Sequence, residues 1–150
     1  MYKWFLFPET GSTRLPLSLY DVFSTLKALS TVEEVLYFGC TPWGTAGHDP
    51  AEAIALLAEL DRSAASSVTP KIQVELFEQA MRHWEGMNEC HVEFLVRLDL
   101  DAIARRVVVE AVDSSAWVLS GDSEVAEALA IRCLKLSGQL YLSLKGTSPA

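Results

Sequence analysis

The sequence predicts an α/β fold, a single-domain sandwich with helices packed on a mixed or mainly parallel sheet of about five strands. Three observations predict it. Strand-like and helix-like stretches follow one another in the order β-α-β-α-α-β-α-β-α-β, and such alternation favours helices layered on a sheet. Residues 90–98, CHVEFLVRL, alternate with Cys90, Val92, Phe94, Val96 and Leu98 on one side and His91, Glu93, Leu95 and Arg97 on the other, the period of a strand. Helix-period stretches open on capping signals. The chain has 150 residues, half of them apolar, which suits one domain and argues against disorder. That domain is expected over residues 1–145, with residues 146–150 as a loose tail.

The elements follow in order. YKWFLF (2–7) is aromatic-rich and stops at Pro8, as a strand would. LSLYDVFSTLKAL sets Leu19, Val22, Phe23, Leu26 and Leu29 at helical spacing. Ser18 and Asp21 resemble a capping box, with Leu17 and Val22 placed as a hydrophobic staple, so a helix over 18–29 is expected. VEEVLYFG (32–39) is strand-like, and a loop carrying Cys40, Trp43, Gly44 and Gly47 follows it. PAEAIALLAELDR (50–62) is a helix with Ala53, Ile54, Leu57 and Leu60 on one stripe. Residues 70–84 form a second helix with Pro70 at its first position, although KIQVELFE (71–78) also alternates. After the strand at 90–98, residues 99–112 are expected to be helical, against the strand preference of Val107–Val109. A short strand at 116–120, a helix at 122–138 and a last strand at 139–145 complete the order.

The net charge is −8, split evenly: residues 1–75 hold 5 Lys/Arg against 9 Asp/Glu, and residues 76–150 hold 7 against 11. Without a basic stripe the chain lacks the cations that displace phosphate counterions, so no nucleic-acid partner is expected. An anionic membrane surface is disfavoured on the same ground. The charge suits a partner protein with a basic surface, as well as solubility. Three cysteines are too few and too odd for a disulfide scaffold. The N-terminal apolar run is too short for a signal peptide and no stretch approaches a membrane span. A reduced, cytoplasmic protein is expected.

Few residues suggest chemistry. Asp49-Pro50-Ala51-Glu52 has an N-cap, Pro at the first helical position and Glu at the third, which commits Asp49 to its own helix. Cys40, just past a strand, could act as a nucleophile with His48 or His91 as base; the plainer role is a small apolar residue at a strand end. Trp43, between Pro42 and Gly44, is either a lid over the core or an anchor for a partner. The glycines match neither dinucleotide nor phosphate-loop fingerprints. No metal-ligand spacing links Cys40, His48, His83, Cys90 and His91, so neither metal nor cofactor is expected. His91, Glu93 and Arg97 share a strand face, while Glu33, Glu34, Glu52 and Glu59 are expected on outward faces.

In general appearance, acidic and without a catalytic motif, the chain is similar to bacterial toxin-immunity proteins, a likeness of type rather than of motif. It implies a non-catalytic module or inhibitor that covers a basic partner surface, with Trp43, Glu33, Glu34, Glu52 and Glu59 as the contact residues. The alternative expectation is a small cytosolic hydrolase or transferase using Cys40 with a nearby histidine. A homo-oligomer seamed by an apolar helix or a sheet edge is a third.

Overall fold

The computed structural model describes residues 2–8, 17–45, 47–98, 103–121, 124–137 and, for the backbone path, 141–145. In chain order its elements are β1 (Tyr2–Pro8), α1 (Leu19–Leu29), β2 (Thr31–Trp43), α2 (Pro50–Ala65), β3 (Lys71–Ile72), α3 (Val74–Arg82), β4 (Gly86–Arg97), β5 (Arg105–Val112), β6 (Ala116–Gly121), α4 (Glu124–Leu136) and β7 (Tyr141–Lys145). The expected tail at 146–150 lies outside the described residues.

The sheet overturns the expected topology. Its seven described strands, one of them the two-residue β3, run in the order β3-β2-β4-β5-β6-β1-β7, and every pairing is antiparallel. Parallel neighbours need a crossover of about a dozen residues or more, and the links between β4, β5 and β6 are too short to supply one. Residues 105–112, expected as part of a helix, form β5 instead. Its β-branched run Val107–Val109 lies between two partners, Val108 opposite Glu93 on one side and Ser120 on the other. The turn into β6 is closed by Ser115 N–H donating to the Val112 carbonyl at 2.8 Å. Asp113 and Ser114 both take positive φ, 48° and 57°, the conformation a tight hairpin needs.

Two further boundaries differ. β2 runs on through Trp43, so Cys40–Trp43, expected to open a loop, continue the strand. Its register against β4 shifts between Tyr37 and Gly39, where Gly39 adopts φ 134°, a conformation that a side chain would oppose. The helix expected from Pro70 begins later: Lys71 and Ile72 pair with Leu36 and Val35, and α3 starts at Val74. The Pro70 carbonyl accepts from Tyr37 N–H at 2.8 Å, so the alternation of KIQVELFE expresses an edge pairing before the helix.

All four helices contribute to one core on one face of the sheet. Alternate strand residues point into it, among them Val35, Val92, Phe94, Val107, Val109, Trp117 and Leu119. Phe23 of α1, Phe77 of α3 and Phe94 of β4 meet as a trio with ring centroids 5.1 to 5.7 Å apart. Truncating such a ring costs about 3–5 kcal/mol, so the trio fixes where α1 and α3 sit on the sheet. Trp117 is fully buried and its Nε1–H donates to the Leu17 carbonyl at 3.2 Å, tying β6 to the entry of α1. At that entry the Ser18 hydroxyl accepts from Asp21 N–H while the Asp21 carboxylate accepts from Ser18 N–H, both at 3.0 Å. In α2 the buried residues are Ala53 and Leu60, whereas Ile54 of the expected stripe is 59% exposed.

Candidate functional site

The other face of the sheet carries the second set of alternating residues. Val108, Val118 and Ser120 are buried there too, but towards the ends of β2, β4 and β5 the face opens into a shallow cavity of about 480 Å³. Phe38, Thr41, Glu89, His91, Glu110 and Val112 line it, with the backbone turn at Gly39 on its rim. Phe38 is 53% and Val112 45% exposed.

His91 organises the site. Its Nε2 lies 2.9 Å from Glu93 Oε2 and its Nδ1 lies 3.4 Å from Glu110 Oε2. Carboxylates only accept, so Nε2–H donates to Glu93, while Glu110 stands within ion-pair distance of Nδ1. The imidazole and the Phe38 ring meet in a T-shaped arrangement, 4.9 Å between centroids. Arg106 Nε, 3.5 Å from Glu93 Oε1, extends the chain of charges. This constellation comes from register: His91 pairs with Glu110 on β5 and with Gly39 on β2, and Glu93 follows two residues along the same strand face.

The expected site residues are dispersed. Asp49 caps α2, accepting from Ala51 N–H at 2.9 Å. His48 lies against His83, ring centroids 4.6 Å apart, and His83 Nε2 is 3.9 Å from Glu52 Oε1. Cys40 pairs with Cys90 across β2 and β4. Cys90 shares the helix-side face of Val92 while its neighbour His91 points to the opposite side, so the Cys40 thiol and the His91 ring are on different faces of the sheet. Cys40 is held strongly in its protonated form, first by the neighbouring Cys90 thiol, then by burial and by the charge of Cys90. An activated nucleophile needs the reverse shift. Nearby, the buried Tyr37 hydroxyl lies beside Cys40 and Asp61 without a well-directed hydrogen bond to either. Its pKa rises because of burial first and then because of those two neighbours.

Among the residues proposed to contact a partner, Glu33 is bonded to Arg97 and Glu34 to Lys71 at 2.8 Å. The Arg97 hydrogen bond pulls the Glu33 carboxyl below its ordinary range, against a smaller opposing effect of burial. Glu59 is exposed on α2. Trp43 lies half-buried over Gly86: a side chain added at that glycine would meet the indole ring at 2.3 Å.

No protein-family model, curated protein or solved structure matches this chain. The chemistry of the cavity therefore rests on its own geometry. Among the described residues no group of three or more His, Cys, Asp or Glu side chains is placed to hold a metal ion, and no described helix is long and apolar enough to cross a membrane. Carboxylates beside the exposed Phe38 and Val112 side chains suit a cation carried on an apolar stem, the form of an arginine or lysine side chain.

Phe38, Glu89, Glu110 and Val112 were not singled out from the sequence. The signal was present in residues 105–112, where Arg106, Val108, Glu110 and Val112 alternate with Val107, Val109 and Ala111. Assigning them to a helix concealed it.

Proposed function

We propose that this protein is a non-catalytic, acidic binding module that docks a basic segment of another protein on the face of its sheet opposite the described helices. The observation that supports this reading is the cavity in which Glu89 and Glu110 lie beside exposed Phe38 and Val112. Glu89 has no ion pair among the described residues, so its charge is available to an incoming cation. The net charge of −8 extends the attraction beyond the contact itself and speeds encounter with a basic partner. An inhibitor of immunity type, covering a basic surface, is the form of activity that this chemistry supports.

The test uses an arginine-rich peptide as the probe, titrated into isotopically labelled protein. Amide shifts are expected around Phe38, Glu89, His91 and Glu110, with affinity falling about tenfold between about 50 and 200 mM salt. The Glu89→Gln, Glu110→Gln double variant is expected to lose most of the binding. Shifts confined to Glu52 and Glu59 on α2, or binding indifferent to salt, would reject the sheet-face site.

A further inference from the structure

Cys40 and Cys90 stand directly opposite one another in the β2–β4 ladder. Opposed residues of antiparallel strands have Cα atoms about 4.5–5.5 Å apart, within the roughly 4.4–6.8 Å that a disulfide spans. Both side chains point to the helix side: Cys90 belongs to the core and Cys40 packs against it. Cys90 is also the largest influence on the Cys40 thiol, holding it protonated. The third cysteine, Cys133, is fully buried on α4, which packs on α1 and the β5, β6, β1 and β7 strands. Access differs between the pair. Cys90 is 6% exposed, whereas Cys40 is half-buried beside Gly39, above whose backbone there is open space.

We propose that Cys40 and Cys90 are a disulfide-forming site, closed by a peroxide. The peroxide transfers one oxygen to the Cys40 sulfur, giving a sulfenic acid and one water. The Cys90 sulfur then attacks the Cys40 sulfur and displaces the hydroxyl group, which leaves with the thiol proton as a second water. Two thiols and one hydrogen peroxide thus become one disulfide and two waters. Because the thiolate is the reactive form and the neighbouring Cys90, together with burial, keeps Cys40 protonated, the step quickens as pH rises. The bridge joins β2 to β4 across an intervening stretch that holds α2, β3 and α3, restricting the unfolded chain. This site is independent of cation docking on the opposite face.

The experiment treats the reduced, full-length protein with hydrogen peroxide, then denatures it, alkylates free thiols and weighs it. One alkylated thiol in place of three is expected, with a Cys40–Cys90 crosslinked peptide after digestion and faster closure at pH ~9 than at pH ~7. The thermal midpoint should rise by about 5–10 °C and return on reduction. Cys133→Ser should still close the bridge, and Cys90→Ser should leave Cys40 oxidised but uncrosslinked. Three free thiols after treatment, a crosslink through Cys133, or linkage solely between molecules would overturn the proposal. The wild-type peptide map decides the matter even where a variant folds poorly.

Discussion

At Gly86 the space where a side chain would begin is filled by the Trp43 indole, and the two residues are cross-strand partners at the end of the β2–β4 ladder. Gly86→Ala should therefore displace the ring and cost about 1–3 kcal/mol, the usual penalty for overpacking. Urea unfolding should show a lower midpoint with an unchanged slope. A variant as stable as the parent would mean that the indole does not rest on this glycine. The sequence shows Trp43 among glycines but not the glycine beneath it, which lies in another strand and is reached only through register. The same holds for His91: its carboxylate neighbour Glu93 is two residues away and legible as a shared face, whereas Glu110 comes from β5.

Among the elements, α1 and α2 were legible because their signals are local. A capping box needs only four consecutive residues, and Ser18 and Asp21 make both of its hydrogen bonds. Asp49→Ala should cost about 1 kcal/mol through loss of the bond to Ala51 N–H, and Asp49→Asn should retain most of the stability. Thermal melts of the two variants check this; equal losses would show that the carboxylate charge, and not the cap, is what matters. β5 was illegible for the opposite reason. Its residues satisfy no cap, and their strand form depends on β4 and β6 flanking them on both sides, since β propensity largely expresses the neighbours a strand acquires. The two-residue β3 likewise exists only because β2 offers it an edge.

Over the whole molecule, three groups with raised pKa values make stability sensitive to alkali. Burial pushes the Cys133 thiol up to about 12 from an ordinary 9.0, with the charge of Asp21 adding to it and a hydrogen bond from Thr25 opposing it; Tyr37 and Cys40 are raised as well, from 10.0 and 9.0. In each case the folded chain holds its proton more tightly than the unfolded chain. Their contribution is thus complete below about pH 9 and is lost as pH climbs towards the folded values. Urea midpoints should fall progressively above pH ~9, and Cys133→Ala should lessen that slope by up to about 1.4 kcal/mol per pH unit. A flat profile to pH ~11 would contradict the burial of these groups. By itself the sequence determined what short-range chemistry and composition can carry: an acidic single chain of mixed helix and strand, two capped helices, the alternation of β4, and an Asp49 committed to its cap. The tertiary structure alone decided strand direction, the one-sided core, the meeting of Phe38, His91 and Glu110, and the facing of Cys40 by Cys90. These depend on which strands become neighbours and in what register, and both follow from how the whole chain buries its apolar face rather than from any one segment.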